Sequence, residues 1–283
     1  SPSGEVSILD RDGKWIRDLP LKTAQSLHAQ YSTTHQTTHL DLHLFARATA
    51  DIITAYHKSP KEPSWDSIKS MWQTPHPLMQ AIKTHCSSQC YPLKELFASP
   101  LDRSTASDLI FSSRPEDSVF GANHDAFAQP WTGLCQAYPG PDPGLNHKAL
   151  QWALKSIETP IPTCIFYLVN NDPRASFGYL NLLSHSTIVH IADGVKLEPG
   201  YRVPTNHPVE TVSLIAIANE AGKAMFLQNP TGQLLARSVG LETISPRTPS
   251  PTPALHPPVK LLKLLEPSTP KLPPPTLCQI ETD

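Results

Sequence analysis

The feature that most constrains this chain is a series of short, continuous apolar runs that alternate with helical stretches from Leu93 onward. A continuous apolar run predicts a strand that is covered on both faces, and strands alternating with helices predict a parallel, doubly wound sheet. The predicted helices lie at residues 146–157 and 176–183. The predicted strands lie at residues 96–101, 118–121, 134–138, 164–169, 187–191 and 212–218.

A sheet of this kind also predicts where a ligand binds. Ligands of open α/β sheets lie outside the carboxyl ends of the strands, where the connecting loops meet. We therefore expect one functional edge, built from the loops that follow Pro100, Gly121, Tyr138 and Val169.

The sequence divides into three parts. Residues 1–90 predict a small helical region, because apolar residues recur at three- and four-residue spacing within 21–31 and 40–56. Residues 91–243 contain the alternating pattern of the α/β domain. Prolines concentrate between Pro246 and Pro275, and because proline removes a backbone donor and fixes φ, we expect residues 244–283 to be a disordered Pro-rich tail. An apolar island at 259–265 either packs back on the domain or binds a partner protein.

Charge and composition narrow the function classes. The formal net charge is −2, so a nucleic acid would need a local patch rather than a global basic field. No run of 18 apolar residues occurs, which predicts no membrane partner. The first residues lack an apolar signal-peptide core and an initiator Met, so we expect an intracellular piece of a longer protein.

The cysteines are few and scattered. Cys86 and Cys90 lie near each other beside His85, but a structural zinc site needs about four ligands, usually as two spaced pairs. No second pair of suitable spacing follows, so we expect no metal and idle thiols in a reducing compartment.

Four segments of the chain form an ordered set. They are Glu95-Leu-Phe-Ala-Ser-Pro-Leu101, Asp117-Ser-Val-Phe-Gly121, Gln136-Ala-Tyr-Pro-Gly-Pro141 and Cys164-Ile-Phe-Tyr-Leu-Val169. The set, which with the later strands covers roughly half the chain, resembles the methyltransferase domain of the phosphorylated-CTD-interacting-factor family, the cap-specific adenosine-N6 methyltransferases. That family has a Phe-Ala-Ser-Pro-Leu segment, a Tyr-Phe-Gly segment, an Asn-Pro-Pro-Phe catalytic motif and a later strand.

The resemblance implies a Rossmann-like, class I methyltransferase-like fold that binds S-adenosylmethionine. Adenine N6 is a weak nucleophile, and the Asn carbonyl with an adjacent backbone carbonyl would accept its two hydrogens while an aromatic ring stacks on the base. The cofactor-binding residues that the resemblance implies are Phe97, Ala98, Ser99, Pro100, Leu101 and Asp102.

The catalytic motif departs from the family's Asn-Pro-Pro-Phe at three of its four positions. The matching residues are Tyr138, Pro139, Gly140 and Pro141, so a phenol stands where an amide is expected and the stacking ring is missing. Alternatively, Asp142 or a residue in 171–173 replaces the missing Asn as the acceptor of the adenine amino hydrogens. We expect a catalytically impaired domain that acts as a binding or scaffold module.

Two alternatives to this function remain. One is an active adenine-N6 methyltransferase on RNA or DNA, and the other is an interaction protein that works through its Pro-rich tail. The expected partners are RNA or DNA and proteins bound by the tail. The resemblance favours a nuclear over a cytoplasmic location.

Overall fold

The computed structural model describes residues 4–9, 13–36, 42–57, 72–88, 90–101, 110–112, 115–123, 125–140, 142–170, 187–200, 209–228 and 230–241. In this part, the chain is a mixed α/β protein with one six-stranded, mostly parallel sheet and six α-helices. Ser1–Thr243 forms one compact unit. The second unit, Ile244–Asp283, contains the predicted tail and lies outside the described residues.

The elements follow one another in an order that begins with a hairpin and continues with helices before the sheet. The strands are β1 (Glu5–Leu9), β2 (Trp15–Pro20), β3 (Trp72–Gln73), β4 (Lys94–Leu96), β5 (Ile110–Ser112), β6 (Gly133–Ala137), β7 (Thr163–Asn170), β8 (Ile188–Lys196), β9 (Glu198–Pro199) and β10 (Thr211–Ala218). The helices are α1 (Leu21–His35), α2 (Leu42–His57), α3 (His76–Cys86), α4 (Pro143–Ser156), α5 (Glu220–Phe226) and α6 (Thr231–Ser238).

The central sheet has the strand order β5-β4-β6-β7-β10-β8. Strand β4 is parallel to both β5 and β6, and β6 is parallel to β7. Strand β10 is antiparallel to its two neighbours, β7 and β8, so it alone runs against the other five. After β4 the chain therefore adds β5 on one side of β4, and it then adds β6 and the following strands on the other side.

Both faces of the sheet are covered at its central strands β6, β7 and β10, as the continuous apolar runs predict, whereas the edge strand β8 has exposed residues. Every residue of β7 is buried, because its side chains alternate between two apolar layers. One layer contains Leu78, Ile82 and Phe226 from α3 and α5, together with Leu235 from α6. The opposite layer contains Ala149, Leu150 and Ala153 from α4.

The N-terminal segment packs on the α/β part of the chain. Strands β1 and β2 form an antiparallel hairpin, and α1 follows directly. Leu27 and Tyr31 of α1 share an apolar cluster with Leu101 and Phe120. The side-chain amide of Gln30 also donates a 3.2 Å hydrogen bond to the carbonyl oxygen of Pro100.

Most predicted elements are confirmed, but some are wrong. Residues 118–121 are not a strand: Pro115–Phe120 is a 3₁₀ helix, because Phe120 packs on α1 rather than joining the sheet. The strand predicted at 96–101 ends at Leu96, after which the chain turns. The hairpin β1–β2 and the short strands β3, β5 and β9 were not predicted. The helix predicted at 176–183 lies outside the described residues.

Candidate functional site

Two of the turns expected at the functional edge lie side by side. Leu96 ends β4 and Ala137 ends β6, and these two residues are partners in the parallel register. Phe97 and Tyr138 therefore leave the sheet at the same edge, from adjacent strands. The chain order reverses between β4 and β6, so this is the topological switch point at which open α/β sheets bind ligands.

The first turn begins with an unusual backbone conformation. Phe97 has a φ of 64°, which an aromatic residue adopts only under strain of about 1–3 kcal/mol. The surrounding structure holds it there, since its ring packs edge-on against Phe127 and Trp131 at centroid distances of 5.3 and 5.5 Å. The result is a sharp bend that directs the backbone away from the sheet.

The remainder of this turn is anchored from several sides. Ala98 is buried with Phe111 of β5 and Ala122. Pro100 accepts the hydrogen bond from Gln30, and Leu101 is buried in the cluster formed with α1. Ser99 is half-buried between these anchors. Of the six residues expected to bind a cofactor, Asp102 lies outside the described residues.

In the second turn, Tyr138 lies inside the protein rather than at an open slot. Its side chain is only 7% exposed and packs in the apolar layer that contains α3. Burial, and secondly the negative charge of Glu210, raise the pKa of the Tyr138 phenol well above its ordinary value. The phenol is therefore neutral near neutral pH and does not serve as a general base.

The backbone of the second turn is incompatible with the expected motif. Gly140 has a φ of 85°, whereas proline, the family residue at this place, is restricted to a φ near −65°. The carbonyl oxygen of Gly140 also accepts a hydrogen bond from the side-chain amide of Asn146. Tyr138, Pro139 and Gly140 are all buried, and Pro141 lies outside the described residues. The loop after β6 therefore has a backbone conformation that differs from the one expected for the family's motif.

Asp142, the alternative acceptor, has a structural role. It is the N-cap of α4, and its Oδ1 accepts a 2.6 Å hydrogen bond from the backbone nitrogen of Leu145. A carboxylate at this place satisfies a free donor of the first helical turn. The other alternative, at residues 171–173, lies outside the described residues.

Asn170, the last residue of β7, is a functional candidate that sequence reasoning did not select. It is 4% exposed, and its Oδ1 has no hydrogen-bond partner within the described part of the chain. A sequence feature that indicates it exists, because an amide side chain that ends an apolar strand of a parallel sheet lies at the ligand-binding edge. The family resemblance instead indicates the loop at Tyr138.

A separate cleft of about 260 Å³ lies on the opposite sheet face, beside β4 and β5. Lys94 lines it, but the Lys94 ammonium group donates a 3.0 Å hydrogen bond to the carbonyl oxygen of Thr132. Trp131 also lines it, and its indole nitrogen donates a hydrogen bond to the carbonyl oxygen of Ala126. The two polar groups therefore already have hydrogen-bond partners within the protein.

The cysteines form no metal centre within the described residues. Cys86 is buried and Cys90 is exposed, and both are free thiols. In this part of the chain, no group of three or more His, Cys, Asp or Glu residues could hold a metal ion. None of the described helices has the length and apolarity that a membrane crossing requires.

No protein-family model and no curated protein matches the chain.

Proposed function

We propose that this chain is a Rossmann-like domain of the class I methyltransferase kind, with its ligand site between β4 and β6. The observation that carries the proposal is the register pair Leu96–Ala137, which brings the two family-like turns to one edge at the switch point. The parallel pairs β4–β6 and β6–β7 also support it, because open sheets of this kind bind ligands outside the carboxyl ends of their strands.

More specifically, we propose an adenine-binding domain in which methyl transfer is impaired. Tyr138 is buried and has no carbonyl in its side chain, so it cannot accept the hydrogens of an adenine amine as Asn would. Gly140 places the following backbone in a conformation that proline cannot adopt. Losing one preorganised acceptor typically lowers a rate by two to three orders of magnitude.

The cofactor of this proposal is S-adenosylmethionine, which would supply the methyl group. The turn of residues 97–101 would hold it, because the left-handed Phe97 bends the backbone out of the sheet and leaves half-buried Ser99 at the edge. The anchors at Pro100 and Leu101 would keep the turn in place. Preorganisation of this kind lowers the entropy lost on binding.

The proposed partners are adenine-bearing RNA or DNA, with a nuclear location and protein contacts through the Pro-rich tail. On this proposal the domain presents or recognises adenine rather than modifying it. The tail would then provide the link to other proteins.

Titration calorimetry with S-adenosylmethionine and with S-adenosylhomocysteine tests the ligand site. We expect saturable binding, and we expect Ser99→Trp to abolish it because a large ring would fill the edge of the turn. Ser238→Trp is a matched control, since Ser238 is also half-buried but lies at the end of α6. Absence of heat with the unaltered chain, together with an unchanged melting temperature, would overturn the proposed ligand site.

Incubation with methyl-labelled cofactor and adenine-containing oligonucleotides tests the loss of activity. We expect no label in RNA or DNA. Incorporation that disappears in Tyr138→Ala would instead establish the active methyltransferase. If the isolated tail binds partners while residues 1–243 bind no ligand, the interaction-protein alternative is the better account.

A further inference from the structure

Two buried polar groups without partners lie at the proposed ligand edge. The hydroxyl of Tyr138 and the side-chain Oδ1 of Asn170 are both covered, and neither has a hydrogen-bond partner within the described residues. Their side chains are 7% and 4% exposed. Buried polar side-chain atoms of folded proteins are nearly always hydrogen-bonded, so two exceptions at one edge need an explanation.

The two groups lie on the same face of the sheet. Tyr138 packs in the apolar layer that also contains Val212. Asn170 is the register partner of Val212 in the antiparallel pair β7–β10, and directly opposed residues project to the same face. Tyr138 and Asn170 therefore project from adjacent strands, β6 and β7, into the same layer, at the ends from which the chain leaves the sheet.

The chemistry of the pair is complementary to an amidine edge. The phenol hydroxyl can donate a hydrogen bond, and the amide oxygen can only accept one. Adenine presents an N6–H donor beside a ring-nitrogen acceptor, so it matches one acceptor and one donor on adjacent strands.

We propose that Tyr138 and Asn170 bind the amino-bearing edge of an adenine base, with Asn170 Oδ1 accepting from N6–H and Tyr138 donating to a ring nitrogen. This inference rests on the proposed function, and it assigns adenine recognition to Tyr138 together with the last residue of β7, rather than to a motif of four consecutive residues at 138–141. Both atoms are covered, so the base reaches them only when the edge opens locally. We therefore expect the association rate constant for adenosine to lie below the range that is typical of rigid sites.

Titration of the full chain with adenosine tests the pair. We expect Tyr138→Phe and Asn170→Leu each to weaken adenosine binding roughly tenfold, because each removes one hydrogen bond from a buried site. Purine riboside lacks the amino group, so the unaltered chain and Asn170→Leu should bind it equally. Cytidine, which has a similar edge on a smaller ring, and guanosine, which lacks an amino group at that position, test whether the site is specific for adenine.

Melting temperatures without ligand provide an independent readout. Since Tyr138→Phe removes only a hydroxyl that has no hydrogen-bond partner within the described residues, this variant should melt at or above the temperature of the unaltered chain. Tyr31→Phe, a substitution at a buried tyrosine in the cluster formed with α1, is the control and should leave adenosine affinity unchanged.

The outcomes separate this inference from the proposed function. If the chain binds S-adenosylmethionine and adenosine, but both variants bind adenosine as the unaltered chain does, the inference is overturned and the proposed function stands. Unchanged adenosine affinity together with a lower melting temperature in both variants also overturns it, because the groups then bind only a structural water. A chain that binds adenosine through the pair but binds no S-adenosylmethionine supports the inference and removes the cofactor from the proposed function.

Discussion

The side-chain amide of Asn146 donates a hydrogen bond to the carbonyl oxygen of Gly140, and so joins the first turns of α4 to the loop that follows β6. The same amide group donates to the carbonyl oxygen of Asp142 at 3.0 Å. Its oxygen accepts from the hydroxyl of Tyr167, a fully buried residue of β7, at 3.2 Å. One buried side chain therefore holds the loop against both the helix and the sheet.

Replacing Asn146 with Ala should destabilise the protein by about 1–3 kcal/mol, because the hydroxyl of Tyr167 and the carbonyl oxygen of Gly140 then lose this partner in a buried site. Urea denaturation measures the change in the free energy of unfolding. His147→Ala is the control, since His147 is exposed on the next position of the same helix. Equal stability of the two variants would mean that Asn146 does not hold the loop.

Restoring proline at position 140 should damage the protein rather than repair it. Gly140 has a φ of 85°, so Gly140→Ala should cost about 1–2 kcal/mol and Gly140→Pro more. For the same reason the triple change Tyr138→Asn, Gly140→Pro and Pro141→Phe should yield no methyl transfer. Thermal unfolding and the labelled-cofactor assay measure the two effects. A stable, active triple variant would show that the loop can adopt the family conformation.

Gly222→Ala should be one of the most damaging substitutions of a small residue in the chain. A Cβ atom at Gly222 would lie 2.0 Å from the carbonyl oxygen of Thr163, so either α5 or the start of β7 must move. Crowding of this kind costs about 3 kcal/mol. Gly232→Ala is the matched control, because a Cβ there meets no atom within 4 Å. Chemical denaturation should show a clear loss of stability in Gly222→Ala and no loss, or a slight gain, in Gly232→Ala.

The buried cysteines should be inert toward thiol reagents. Burial raises the pKa of the Cys86 and Cys135 thiols to about 12, and the thiolate is the reactive form. Treatment of the native chain with iodoacetamide should therefore label Cys90, which is exposed, and leave Cys86, Cys135 and Cys164 unlabelled. Peptide mass mapping after denaturation reads the result. Rapid native labelling of Cys135 would contradict its burial.

The raised pKa of Cys135 predicts a loss of stability in alkaline solution. An unfolded cysteine ionises near its ordinary pKa of 9.0, whereas native Cys135 keeps its proton up to about 12. The contribution of the protonated Cys135 thiol to the free energy of unfolding is thus complete below pH 9 and is lost as the pH rises toward 12. Comparing unfolding free energies at about pH 8 and about pH 10.5 should show a smaller fall in Cys135→Ala than in the unaltered chain. An identical fall in both would contradict the assigned shift.

Strands that are apolar throughout were predictable, whereas short ones were not. The runs that contain Phe166 and Leu214 are long enough to require a sheet that is covered on both faces, and β7 and β10 confirm this. Phe120 lies in a run of similar composition but packs on α1 instead, because a short apolar run does not specify which neighbour buries it. The three-residue strand β5 carries too few side chains to show any period.

The candidate site was partly predictable for a related reason. The loops after Pro100 and Tyr138 were expected at one edge because both follow a predicted strand of a parallel sheet. The register of β4 and β6 places the two turns at one edge, although β4 ends at Leu96 and the first turn therefore begins at Phe97. Asn170 was not predicted, since the absence of a hydrogen-bond partner for its Oδ1 in the described part of the chain depends on the residues around it. The left-handed conformations of Phe97 and Gly140 likewise depend on the packing that holds each turn.

The sequence by itself determined the mixed α/β class, the positions of the long strands and the edge at which two motif-like turns follow them. These properties depend on local patterns of apolar and polar residues, which the chain carries wherever it folds. Only the tertiary structure decided that Tyr138 is buried, that Asp142 caps a helix and that Asn170 Oδ1 is covered without a partner among the described residues. The physical reason is that burial and hydrogen bonding depend on contacts between segments far apart in the chain, such as β6, β7 and β10.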